Sequence, residues 1–308
     1  MQIKTAAVLG VGAVGSYLIY GLQDCLQENL WVIAEGERKA RLESEGLMIN
    51  GQTVYPIVKT PEEAKGVDML FIAVKYGALP NCLDTIAAIA EEHTIVMSLM
   101  NGVDSEEMIA SRIGASHVIY SMIKIVAARE GNAVTFVPET TQGIYFGKTK
   151  EITEEQMAAV RSLFASSQLH YHECKNIIQD IWYKYALNVS KNLPQAMVGC
   201  GFGAYAGSEH VMALCRHLRS EVVAVAKAKG IDIADESNTA RNGSSSAPPT
   251  ARFSTLQDLD AKRHTEIEMF AGAMIRMGKE WNIPTPYNEF AYHMIKALEE
   301  KNDGKFDF

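Results

Sequence analysis

Gly10-Val11-Gly12-Ala13-Val14-Gly15 follows the apolar stretch Ile3–Gly10 and opens an amphipathic run to about Cys25. The pattern is G-x-G-x-x-G, and its place between a strand and a helix gives it weight. Gly10 suits a tight turn, Gly12 lets backbone amides approach a pyrophosphate, and Gly15 permits close helix–strand packing. Ala13 and Val14 begin the helix, where unpaired N–H groups and a partial positive charge face a phosphate.

Reading outward, Leu30–Glu35 is a second strand, and Val67–Val74 and Thr94–Met100 are two more. Val67–Val74 is almost continuously apolar, as strands buried on both faces are. Arg38–Glu45, Pro80–Ala90 and Asp104–Arg112 read as helices between them. Strand alternating with helix predicts βαβ units and a parallel sheet. His117–Gly147 carries further β-rich runs, expected as antiparallel edge strands. Beyond Glu151 the texture turns helical: Thr153–Ala165, Ile177–Met197, His210–Lys229, Leu256–Lys279 and Tyr287–Glu300. The expected fold is α/β, with a Rossmann-type dinucleotide-binding domain in residues 1–170 and an all-helical substrate domain in 171–308. A chain of 308 residues has room for both.

Composition excludes several classes. With 47% hydrophobic and 21% charged residues, the chain can build an ordinary core and is not disordered. Its 29 Lys+Arg against 37 Asp+Glu give a net charge of −8, and no dense basic run suggests a nucleic-acid partner. Five cysteines, an odd number without a C-x-x-C, point to reduced thiols and a cytoplasmic protein. No signal-peptide pattern or long uncharged apolar stretch is present, so no membrane span is expected. The expected partner is a small molecule.

The end of the second strand selects the cofactor. An acid there hydrogen-bonds the ribose 2′-OH of NAD, whereas an Arg nearby accommodates the 2′-phosphate of NADP. Glu35 holds this position and favours NAD(H). Arg38, one helical turn on, keeps NADP(H) possible.

Lys184, Asn188 and Asn192 recur at i, i+4 and i+8 and so stack along one helix face. Trp182, Tyr185 and Leu187 surround this stripe with apolar bulk, which predicts that it lines a cleft. Ser254 taken alone is an N-cap candidate, and Glu266 an ordinary helix acid. Nothing in the spacing links either to Lys184.

Together these motifs resemble the ketopantoate reductase (2-dehydropantoate 2-reductase) family over nearly the whole chain. The matching pieces are GVGAVG, Val74-Lys75, Asn101-Gly102 and the W-x-K-x-x-x-N-x-x-x-N run from Trp182 to Asn192. S-x-L-Q-D from Ser254 and R-H-T-E-I from Arg263 also match, as do Gly230-Ile231 and Ile283-Pro284. The resemblance implies hydride transfer from NAD(P)H to C2 of a 2-oxo acid, giving a D-2-hydroxy acid. It implies that Lys184 donates the proton, with Glu266 as the second catalytic residue. Asn188 and Asn192 would orient the substrate and Ser254 would bind its carboxylate. Lys75 would help hold the cofactor, with Asn101 at its nicotinamide end. The active site would then lie in the cleft between the halves, at the carboxyl ends of the strands.

Two departures bear on substrate and cofactor. NADPH-using members usually carry Arg where Glu35 stands. The stretch after Asn192, Leu193 to Phe202, is more apolar than a pocket for a hydroxylated substrate. Both favour an NAD-dependent D-2-hydroxyacid dehydrogenase acting on branched or aromatic 2-oxo acids, of mandelate type. The alternative is an NADPH-dependent 2-dehydropantoate 2-reductase, and a non-catalytic dinucleotide-binding protein is a third reading.

His170-Tyr171-His172 with Cys174 could suggest a metal, but successive residues on a strand face opposite sides and no second ligand cluster is nearby, so no metal site is expected. Asn242–Pro249 is either a surface linker or a substrate lid, and the tail after Asn302 is expected to be poorly ordered. Met269, Met274, Met277 and Met294 would be core, with a homodimer possible.

Overall fold

The computed structural model describes residues 1–234 and 248–306. These divide into two compact units, Met1–Ile177 and Ile178–Phe308.

The first unit is built on an eight-stranded sheet. Its strands are β1 (Ala6–Leu9), β2 (Leu30–Ile33), β5 (Ile57–Lys59), β6 (Met69–Ile72), β7 (Ile95–Ser98), β8 (Val118–Lys124), β11 (Gly143–Gly147) and β12 (Tyr171–Glu173). The spatial order is β12-β11-β8-β7-β6-β1-β2-β5. All neighbours are parallel except β8 and β11. The order reverses at β1, which pairs with β2 on one side and β6 on the other. Such a switch point is where a doubly wound sheet opens a crevice for ligands.

The strands β1, β6 and β7 are buried at every position. Helix α1 (Ala13–Leu26) and α5 (Glu154–Ala165) cover Val8, Phe71, Met97 and Phe146 with Leu18, Leu22, Leu163 and Phe164. Helices α2 (Gly36–Glu45), α3 (Leu79–Ile89) and α4 (Ser105–Ile113) fill the crossovers. Thr153 begins α5 with a capping box to Gln156. A second, smaller sheet has the order β4-β3-β10-β9, from β3 (Leu47–Ile49), β4 (Gln52–Val54), β9 (Ala127–Glu130) and β10 (Ala133–Phe136). The turn between β3 and β4 is Asn50-Gly51, both at positive φ, as a two-residue hairpin requires.

The second unit is helical among the described residues. It comprises α6 (Ile177–Val198), α7 (Ala204–Gly207), α8 (Glu209–Ala228), α9 (Ser254–Asp260), α10 (Ala273–Glu280) and α11 (Pro286–Asn302). The buried Glu221 of α8 accepts from the Tyr287 and Asn288 amides and the Asn288 side chain at 2.8, 2.9 and 2.7 Å. A carboxylate there satisfies the orphan donors at the start of α11.

Several expectations need correction. Tyr171–Glu173 joins the sheet beside β11, so the α/β unit runs on to Ile177 rather than ending near residue 170. Leu256–Lys279 is not one helix. After α9 the chain turns through Lys262, at φ 53°, and re-enters helix only through a π-helical turn, Glu268–Gly272. Glu299 of α11 causes the break: its buried carboxylate takes the Thr265 N–H and hydroxyl, both at 2.7 Å. Glu266 therefore lies in this irregular stretch and not within a helix. Ser254 is the first residue of α9 rather than its cap; Phe253 caps, and without a side-chain bond. Met269, Met274 and Met277 are buried, whereas Met294 is 40% exposed. Residues 242–247 of the Asn242–Pro249 loop, and the last two of the tail, lie outside the described residues.

Candidate functional site

In the first unit, four sequence-predicted positions follow the carboxyl ends of four adjacent strands. The Gly10–Gly15 turn follows β1, Glu35 follows β2, Lys75 follows β6 and Asn101 follows β7. Gly10 has φ 105°, and a Cβ there would stand 2.6 Å from the Ala73 carbonyl oxygen. A Cβ on Gly15 would stand 2.0 Å from the Gly10 carbonyl. Neither position admits a side chain.

Gly12 differs, since its nearest neighbour to a Cβ is 3.8 Å away. The first intrahelical bond of α1 runs from the Ser16 N–H to the Gly12 carbonyl at 2.9 Å, so the amides of Ala13, Val14 and Gly15 have no partner within the helix. No acidic residue occupies the first turn of α1, and Gly12 offers no side-chain cap. These residues fit the diphosphate of a dinucleotide.

Glu35 caps α2 without using its carboxylate for the cap and is exposed. Lys75 and Asn101 stand on loops tied together by a bond that sequence reasoning missed. The Tyr76 hydroxyl donates to the Asp104 carboxylate at 2.5 Å. This bond fixes the turn after Lys75 against the start of α4, which follows Asn101.

Beneath that turn lies a second missed feature, a buried polar cluster. Glu106 accepts from the Ser105 hydroxyl at 2.7 Å, and Ser105 in turn meets the Ser98 hydroxyl at 2.8 Å. Burial pushes the Glu106 carboxyl up to about 7.

In the second unit, α6 carries Lys184, Asn188 and Asn192 along one face. Lys184 and Asn188 are half-buried and Asn192 is buried. The Asn192 carboxamide oxygen has no hydrogen-bond partner among the described residues. An unsatisfied buried acceptor is costly, and a ligand donor would relieve it.

Gln195, one turn further on, accepts from the Phe253 N–H at 2.5 Å and donates to the Ala251 carbonyl at 3.3 Å. Gln195 thereby brings the segment before Ser254 against the same helix. The Phe202 ring lies 4.5 Å from Phe253 and 6.0 Å from Tyr205, so Ser254 adjoins an aromatic cluster. Thr255, beside Ser254, has a buried hydroxyl with no partner among the described residues.

Glu266 follows Thr265, which Glu299 holds. Lys296 donates to Glu299 at 2.8 Å, and these bonds outweigh burial to keep the Glu299 carboxyl below its ordinary range. No spacing rule would have linked Glu299 to Thr265, because the two are 34 residues apart.

The expected histidines have separate contacts. His170 Nδ1 meets the Thr141 carbonyl at 2.8 Å, while the His172 ring stacks on Tyr145 at 4.5 Å. No group of three or more metal-ligating side chains occurs among the described residues. None of the five cysteines forms a disulfide among the described residues, and no described helix is long and apolar enough to cross a membrane.

Comparison with known proteins finds relatives along most of the chain. Residues 6–151 match the family Ketopantoate reductase PanE/ApbA, and residues 176–299 match Ketopantoate reductase PanE/ApbA C terminal. A 2-dehydropantoate 2-reductase of Streptococcus pyogenes serotype M1 is 24% identical, covering 95% of this chain and 97% of the relative. One from Pyrococcus horikoshii is 26% identical, covering 96% and 98%. D-mandelate dehydrogenase, solved with NADH and anilino(oxo)acetate, superposes with a TM-score of 0.81 at 22% identity, covering 97% and 99%. Dimeric ketopantoate reductase from Staphylococcus aureus gives a TM-score of 0.78 at 23% identity, again covering 97% and 99%. With both family regions matched across most of its length, the chain belongs to the ketopantoate reductase family of NAD(P)H-binding 2-oxo acid reductases.

Proposed function

We propose that this chain is an NAD(H)-dependent reductase that converts branched or aromatic 2-oxo acids to D-2-hydroxy acids. The observation that carries the substrate class is the cluster of Phe202, Phe253 and Tyr205 beside Ser254. Aromatic walls reward a large apolar substituent, and the hydroxyl of Tyr205 already donates to the Lys191 carbonyl at 2.8 Å. Glu35 supports NAD(H), since its carboxylate would repel a 2′-phosphate and suits a ribose hydroxyl.

The bound nicotinamide would supply the hydride to C2 of the oxo acid. Lys184 would give its proton to the carbonyl oxygen and, as a cation, stabilise the alkoxide forming there. Glu266 would fix the lysine ammonium. Asn188 and Asn192 would orient the substrate, and Ser254 would hold its carboxylate. Lys75 and Asn101 would hold the cofactor. The assembly proposed is a homodimer, on the likeness to the dimeric S. aureus relative; light scattering on the eluted protein tests it.

One observation favours a second reading, an NADPH-dependent 2-dehydropantoate 2-reductase. The buried Asn192 oxygen, without a hydrogen-bond partner among the described residues, would be satisfied by a substrate hydroxyl, which ketopantoate has and a simple branched acid lacks.

Loss of reduced-nicotinamide absorbance separates the two, with NADH and NADPH each run against ketopantoate and a branched or aromatic 2-oxo acid. Faster turnover with NADH on the apolar acid supports the first reading. Preference for NADPH with ketopantoate overturns it in favour of the second. Lys184→Ala should bind cofactor normally and lose turnover by roughly 100-fold or more.

A further inference from the structure

We infer that Arg129 is a cofactor-holding residue, its guanidinium gripping the diphosphate of the dinucleotide above Gly12. The inference rests on the reading of the Gly10–Gly15 turn as a dinucleotide site. Arg129 lies on β9, far in sequence from the turn, and β9 packs against α1. Its Nη1 is 3.8 Å from where a Cβ on Gly12 would stand. Its Nε donates to the Gly131 carbonyl at 3.1 Å, which anchors the stem and leaves the terminal nitrogens for another acceptor. Among the described residues Arg129 forms no ion pair with a carboxylate.

Electrostatics makes this placement informative. The start of α1 carries a partial positive charge, and its first turn has no acid to offset it. An arginine held beside it adds like charge, with no carboxylate paired to it among the described residues. A doubly charged diphosphate would neutralise both, with the planar guanidinium bonding one phosphate in bidentate fashion while the amides bond the other. Glu130, next along β9, points to the opposite side of the strand and so does not compete.

The test is a binding titration on the full chain, comparing the wild type with Arg129→Ala and Arg129→Lys. NADH, NADPH and ADP-ribose are the probes, with protein fluorescence or calorimetry as readout. Arg129→Ala should weaken all three by roughly 10- to 100-fold, because all three carry the diphosphate. Arg129→Lys should recover part of the loss for each. The exposed side chain makes the melting temperature a control that should not move. Unchanged affinity in Arg129→Ala would overturn the inference. A loss confined to NADPH would also overturn it, since that outcome places Arg129 on a 2′-phosphate. A wild type that binds none of the probes would instead overturn the dinucleotide reading itself.

Discussion

Gln195 and Phe253 are joined by a hydrogen bond of 2.5 Å, in which the Phe253 backbone N–H donates to the Gln195 carboxamide oxygen. Gln195 is fully buried on α6, one turn beyond Asn192. Phe253 directly precedes Ser254. The bond therefore sets the spacing between two elements on which the proposed substrate contacts stand.

Gln195→Ala should act on substrate rather than cofactor. It leaves the Phe253 amide without an acceptor and opens a cavity, together costing about 2–3 kcal/mol. The KM for the 2-oxo acid should rise several-fold while the dissociation constant for NADH stays put. An equal loss in both would show that Gln195 serves only general stability.

Glu106 makes stability depend on pH in an unusual direction. Its folded-state carboxyl titrates near 7, above the ordinary 4.5, because burial disfavours the charge. Below 4.5 both folded and unfolded forms hold the proton, and the group is neutral in its effect. As pH rises towards 7 the unfolded chain ionises first, so stability falls across that window and stays low above it. A shift of this size corresponds to something on the order of 3 kcal/mol. Glu106→Gln keeps the shape without the charge. It should be more stable than the wild type at pH 8 and flatten the decline between pH 4.5 and 7 in denaturant titrations.

Glu299 has the opposite sign. Its carboxyl is held below the ordinary value by Lys296 and the two Thr265 donors. Its stabilising effect is complete above 4.5 and is lost as pH falls below it. Glu299→Ala strands two donors beside an unpaired Lys296, so a loss of about 3 kcal/mol is expected. Because Thr265 precedes Glu266, kcat should fall more than the remaining stability accounts for. Glu299→Gln, which keeps an acceptor for Thr265, should restore part of kcat. If neither variant changes kcat at a temperature where both are folded, Glu299 has no positioning role.

The sequence made the sheet legible because β1, β6 and β7 are buried on both faces, which leaves uninterrupted apolar runs. The small hairpin at Asn50-Gly51 was missed: the dipeptide suits two successive positive φ values, but its strands of three residues are too short to show a period. The break before Glu266 was not legible. It depends on a carboxylate at Glu299, and local propensity through Leu256–Lys279 favours helix throughout. Spacing found the Lys184–Asn188–Asn192 stripe because helical neighbours recur every turn. Gln195, Tyr76 and Arg129 escaped because each acts on a segment distant in sequence.

Cofactor choice is the most direct test of a single residue. Glu35 stands at the end of β2 and its carboxylate makes no hydrogen bond or ion pair among the described residues. Arg38 stands a turn later, near enough to Cys82 of α3 for its charge to oppose the burial that pushes that thiol up. A 2′-phosphate at the end of β2 would thus meet one repulsive group and have one attractive group within a helical turn. Removing the repulsion in Glu35→Gln should move the NADH-to-NADPH ratio of kcat/KM about 10-fold towards NADPH, the scale of one unit charge at contact distance near the surface. Adding Arg38→Ala should reverse most of that gain. A ratio indifferent to both changes would mean that neither residue meets the adenosine ribose, and selectivity would have to reside elsewhere along the crevice.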